Sequence, residues 1–164
     1  MAPLIVLALG LGTAVVTDIR TRRIPNWLTA GMAAAGFGIA AGGGLVTPMQ
    51  AALGMVLGLL LMLPGHVIGA TGAGDVKLMA AIGAVVGTGS IVRVFLYTAV
   101  AGGVFAIVVA LRRGRLHQTV SDTAMLVASP TVARVAIESS DRANRFPYGP
   151  AIAAGTLISL MVKS

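Results

Sequence analysis

The chain has 164 residues, of which 57% are hydrophobic and only 10% charged, and its mean hydropathy is +0.94. Soluble domains carry about a quarter charged residues, so this chain cannot cover the surface of a water-soluble monomer and reads as an all-α, polytopic membrane protein. The absence of cysteine excludes disulfides, thiolate metal sites and a cysteine nucleophile; the isolated His66 and His117 argue against a zinc centre, and 4% aromatics against nucleic-acid binding despite the +7 charge.

A bilayer core of ~30 Å takes about 20 helical residues to cross, so residues 1–164 have room for one membrane-embedded domain of about five or six spans. The first apolar run is Pro3–Thr17. No Lys or Arg precedes it, whereas Arg20, Arg22 and Arg23 follow it. That is the reverse of a secretory signal peptide, and it places the N-terminus outside. The next runs are Leu28–Ala41, Gln50–Ile68, Val76–Val86, Ile91–Leu111 and Ala151–Val162. Six spans put the Ile19–Trp27 loop, the Gly69–Asp75 turn and the Arg112–Phe146 segment on one side. That side then holds Arg20, Arg22, Arg23, Lys77, Arg112, Arg113, Arg115, Arg134, Arg142 and Arg145, against Arg93 and Lys163 on the other. The asymmetry makes it the cytoplasmic side. A five-span parse misplaces the charges after Leu111.

Glycines recur four apart at Gly54/Gly58, Gly65/Gly69 and Gly83/Gly87. Small residues at this spacing let helix backbones approach closely in lipid. The polar loop at about 112–146 is the one long hydrophilic stretch. Within it, Val120–Ala136 reads as a helix on the membrane surface or as a connector.

Of the five acidic residues, Asp122, Glu138 and Asp141 fall in that loop, where solvation explains them. Asp18 and Asp75 fall at the cytoplasmic ends of the first and fourth spans. An ionised carboxylate costs about 2.5–3.5 kcal/mol at a bilayer centre and less near the interface, and such residues face the bundle interior by default. Asp75 closes the run Gly69-Ala70-Thr71-Gly72-Ala73-Gly74-Asp75. Its glycines permit positive φ and break the apolar pattern just before the fourth helix, placing the carboxylate at or near a helix N-terminus. Neither phosphate-binding glycine pattern fits this run. Two aspartates on one membrane face suggest a catalytic pair that shares a proton. One takes a proton from water attacking an amide while the other gives one to the carbonyl oxygen. No cofactor or metal is needed. The alternative is a small proton- or ion-coupled transporter using the same aspartates, although transport sites sit nearer the midplane. A structural subunit would leave the glycine-flanked Asp75 unexplained, and a serine protease lacks a Ser–His pair in a suitable context.

Three segments carry a family resemblance. Thr17-Asp18-Ile19-Arg20-Thr21-Arg22-Arg23-Ile24-Pro25-Asn26 resembles the first motif of the type IV prepilin peptidases. Gly72-Ala73-Gly74-Asp75-Val76-Lys77-Leu78 resembles their Gly-x-Gly-Asp signature, and Phe146-Pro147-Tyr148-Gly149-Pro150-Ala151 resembles the segment opening their last span. The resemblance implies Asp18 and Asp75 as catalytic residues. It also implies cleavage of prepilin or pseudopilin leader peptides at the cytoplasmic face of the bacterial inner membrane. Larger relatives also methylate the new N-terminus, through an added domain with zinc-binding cysteines. Here the corresponding loop is only Ile19–Trp27, so S-adenosylmethionine is not implied and the short form resembles the peptidases of tight-adherence (Flp) pili.

Around this pair, Gly72 and Gly74 are expected to shape the active-site turn, and Pro25 and Asn26 to begin the second helix, with Asn26 as its cap. Lys77 snorkels to headgroups or meets an acidic residue early in the mature pilin. His66 and Trp27 read as interfacial residues. Basic leaders would meet a basic face, so recognition is expected to rest on local fit and membrane co-localisation rather than bulk attraction. Oligomeric state is open.

Overall fold

The structure is a computed structural model that describes residues 1–112 and 148–162. Among these residues there are six helices and no strand: α1 (Ala2–Thr21), α2 (Asn26–Ala41), α3 (Pro48–Val67), α4 (Ala73–Val86), α5 (Thr88–Arg112) and α6 (Gly149–Met161). The polar segment beyond Arg112, with its three acids and its expected surface helix, lies outside the described residues, as do Phe146 and Pro147.

The six apolar runs become six helices in the expected order, but not six full-length spans. Ala2–Thr21, Pro48–Val67 and Thr88–Val109 are long and apolar enough to cross a membrane. The others, α2, α4 and α6, have 16, 14 and 13 residues. That is short of the ~20 residues a crossing takes. The longer helices present apolar side chains outward, among them Leu9, Val16, Leu53, Leu60, Leu96 and Val100.

α1 runs past Thr17, where the apolar pattern stops. The hydroxyls of Thr13, Thr17 and Thr21 each donate to a carbonyl one turn back, at 2.8–2.9 Å, so the polar residues satisfy themselves within the helix and need not end it. Arg22 ends it instead, in the left-handed region at φ 52°, its N–H donating to the Asp18 carbonyl at 2.8 Å. That conformation costs a non-glycine residue roughly 1–2 kcal/mol, and it turns the chain back over the end of α1.

The short helix α4 is the hub. Ten of its residues are buried, with Leu78, Met79 and Ile82 fully enclosed, and every other described helix touches it. Glycine makes this possible. On α3, a Cβ at Gly54 would strike the Gly83 carbonyl of α4, and one at Gly58 would lie 2.6 Å from the Met79 carbonyl. On α2, a Cβ at Gly36 would lie 2.9 Å from the Ala84 carbonyl. Backbone therefore meets backbone where side chains would hold the helices apart. Gly87, at φ 72°, is the single residue between α4 and α5. The Gly65/Gly69 pair does not join two helices, contrary to the spacing argument. Gly69, at φ 81°, lies in the turn that ends α3, where the Ala70 and Thr71 N–H groups donate to the Gly65 carbonyl.

Candidate active site

The residues singled out in the sequence converge on one cleft. A cavity of about 790 Å³ opens between the end of α1, the loop to α2 and the start of α4. Its walls include Asp18, Asp75, Gly72, Gly74, Lys77, Pro25 and Asn26. The turn after α1 adds Arg22, Arg23 and Ile24. The two carboxylates are 57 positions apart in the chain, yet they stand within electrostatic reach of one another. Both are nearly buried, at 6% and 8% exposure.

Each carboxylate is held by a backbone amide. Asp75 is the third residue of α4, not its cap. The Gly72 N–H donates to its Oδ2 at 2.9 Å, while the Asp75 N–H donates back to the Gly72 carbonyl at 3.1 Å. This is the acidic half of a capping box. Gly72 is extended, at φ −79° and ψ 155°, so positive φ is not why glycine stands there. A Cβ would lie 3.2 Å from the Asp75 Oδ2. Gly74 makes room in the same way for Ile24, whose Cβ would lie 3.1 Å from a Cβ on Gly74. On the other side, Asp18 Oδ2 accepts from the Gly149 N–H at 2.8 Å, a bond that ties the last turn of α1 to the first of α6. Bonds from neutral amides to a carboxylate are charge-assisted and stronger than neutral pairs.

Pro25, not Asn26, caps α2: its carbonyl accepts from the Leu28 N–H at 3.2 Å. The Asn26 side chain serves the cleft instead, accepting from Lys77 Nζ at 2.9 Å through Oδ1. Lys77 thereby links α4 to the start of α2 along the cleft. His66 and Trp27, read as interfacial, are not among the cleft residues. His66 Nδ1 pairs with the Thr71 carbonyl at 3.1 Å across the α3–α4 turn, and Trp27 is exposed. Among the described residues no three His, Asp or Glu side chains gather to hold a metal.

Two contributors escaped the sequence reading, Gly149 and Tyr148. The first acts through its main chain, which residue type does not disclose. Tyr148 precedes it as the cap of α6. Burial pushes its hydroxyl above the usual tyrosine range, and the nearby charge of Asp75 adds to this, although it is not among the residues that line the cleft. The signal available was the Tyr-Gly-Pro stretch itself, noted in the sequence without a role.

A sequence profile of the type IV leader peptidase family matches residues 5–107. The chain belongs to this family. The match runs from α1 through most of α5 and takes in both aspartates, while α6 lies beyond it. As a type IV leader peptidase family member with long apolar helices, the protein is a membrane protein of a protease family, with a leader-peptidase role in general terms. Comparison with curated proteins and with solved structures gave no match.

Proposed function

We propose that the protein is an aspartic endopeptidase that cleaves the leader peptide of type IV prepilins of the tight-adherence (Flp) kind. Its cleft then faces the cytoplasm from the bacterial inner membrane, with the N-terminus of α1 outside. The observation that carries this reading is the pair itself: two aspartates from distant motifs line one cleft, each fixed by a glycine amide.

Chemistry follows from that anchoring. An amide N–H can only donate, so each held Oδ2 stays an acceptor and the proton shared by the pair rides on an Oδ1. The ionised aspartate takes a proton from water as the water oxygen bonds to the scissile carbonyl carbon. The protonated aspartate gives its proton to the carbonyl oxygen, forming a tetrahedral diol. That diol then collapses: its C–N bond breaks, the leaving nitrogen gains a proton from the pair, and the carboxyl product forms. The pair titrates as a unit, so either aspartate can hold the proton at rest. Arg22, Arg23 and Lys77 along the cleft favour a neutral or acidic stretch of substrate there over the basic part of a leader.

The test is cleavage of a prepilin by purified protein in lipid vesicles, with the product N-terminus read by mass spectrometry. One defined cut supports the reading. Proton flux across the vesicle wall with intact prepilin overturns it in favour of transport. Lys77→Gln sharpens the substrate side. Asn26 takes one of the three donors of an ammonium, and a pair at the surface contributes less than about 1 kcal/mol to stability. The variant is therefore expected to fold normally and to slow cleavage of wild-type prepilin, but not of a prepilin lacking its early acidic residue. Equal slowing of both substrates removes Lys77 from substrate recognition.

A further inference from the structure

The α5–α6 contact reaches the cleft through a chain of three residues. Gly149 is buried, and a Cβ there would lie 2.8 Å from Asp18 Oδ2 and 3.1 Å from the Asp18 Cβ. The start of α6 is thus pressed onto Asp18, and its placement sets where the carboxylate stands. Tyr148 stands at that start. Its carbonyl accepts the Ile152 N–H at 3.1 Å, closing the first turn of α6, and the hydroxyl end of its ring lies against α5 at Gly102. A Cβ on Gly102 would sit 2.5 Å from the Tyr148 Oη, 2.8 Å from Cζ and 2.9 Å from Cε2, whereas one on the next residue, Gly103, would meet nothing. A turn earlier on α5, the Thr98 backbone packs on Gly155 of α6, so α6 is fastened along its length.

We propose that Gly102 and Tyr148 are positioning residues for Asp18: the ring seated in the Gly102 notch fixes the first turn of α6, and the Gly149 amide transmits that position to the carboxylate. This rests on the peptidase reading, since it takes Asp18 as one of the working pair. Neither residue touches the reacting atoms. A methyl on Gly102 lifts the ring, and removal of the ring lets the turn drift. Either moves Asp18 by a fraction of the distance that separates productive from unproductive geometry, and a displacement of about 1 Å costs on the order of a hundred-fold in rate.

The experiment is steady-state prepilin cleavage by vesicle-reconstituted protein, with kcat taken per folded molecule. Gly102→Ala and Tyr148→Ala are each expected to lower kcat at least about ten-fold, with KM little changed. Because they act on one contact, the double variant should be no slower than the worse single one. Gly149→Ala, which crowds the carboxylate directly, should be slower still. Gly103→Ala, with open space, should match wild type. Gly36→Ala crowds α2 against α4 instead, so it should lose stability while each folded molecule keeps its kcat. Wild-type kcat in folded Gly102→Ala and Tyr148→Ala overturns the proposal, and so do independent, multiplying losses. Asp18→Asn in the same assay separates the two readings: if it still cleaves, the peptidase reading itself fails.

Discussion

Asp18→Asn and Asp75→Asn are each expected to lower leader-peptide cleavage by about a thousand-fold or more, within the range that loss of a general acid or base produces. Asparagine is the informative change because it separates chemistry from packing. Its amide oxygen can still accept from the Gly149 or Gly72 N–H that holds the native carboxylate. The anchor survives and the fold should too, but the side chain can no longer exchange a proton. Alanine would mix two effects. It would orphan a donor at the buried Gly149, at a cost of about 1–3 kcal/mol, and would confuse misfolding with lost catalysis. The measurement is cleavage in membranes at matched expression, with thermal unfolding in detergent as the check on folding. Loss in both single variants, with unfolding unchanged, establishes the pair as the working groups. Retained cleavage in both assigns the aspartates a structural or ion-carrying role.

The largest effect on stability is expected at Gly83. Its missing Cβ is the site of closest approach between α3 and α4, where a methyl would run into the Gly54 carbonyl. Carbonyl oxygens of a helix cannot swing aside, so the two helices must separate over a stretch that also seats Gly58 on Met79. Overpacking of this kind typically costs about 1–3 kcal/mol, and Gly83→Leu should abolish folding of the bundle. Gly38 supplies the contrast: it lies inside α2, with nothing within reach of a Cβ, and Gly38→Ala should leave stability unchanged or raise it slightly. Denaturant titration in mixed micelles reads both. Equal midpoints for Gly83→Ala and Gly38→Ala would refute the backbone-contact account of the α3–α4 pairing.

Much of this arrangement can be read from residue order. The helices fall where apolar runs do, because burial in lipid or in the bundle needs no finer code than hydrophobicity. The two aspartates stand out because the chain has so few acids. Helix ends were less legible. α1 passes Thr17 because threonine hydroxyls bond back to their own helix, an outcome that the same residues could equally have avoided. α4 begins at Ala73, ahead of the apolar run from Val76, since Gly72 and Asp75 together supply the cap. Asn26 looked like a cap and became a partner of Lys77, which only the meeting of α2 with α4 decides. The roles of the glycines divide by neighbour rather than by spacing: Gly54 and Gly83 meet backbone, while Gly65 and Gly69 form a turn. The hold of Gly149 on Asp18 is a main-chain bond across 131 positions, and no residue type announces it.

The brevity of α4 has a consequence for how water reaches the site of the proposed reaction. Fourteen residues make a rod of about 21 Å, some 9 Å short of the hydrocarbon thickness. At its C-terminal end the chain turns at once into α5 through Gly87, whereas the cleft lies at its Asp75 end. On the proposed topology the shortfall falls at that end. With the cytoplasm on that side, as proposed, a hub helix that stops early lets the aqueous phase reach the aspartates beside the end of α1. The proposed hydrolysis then draws its second reactant from the bulk.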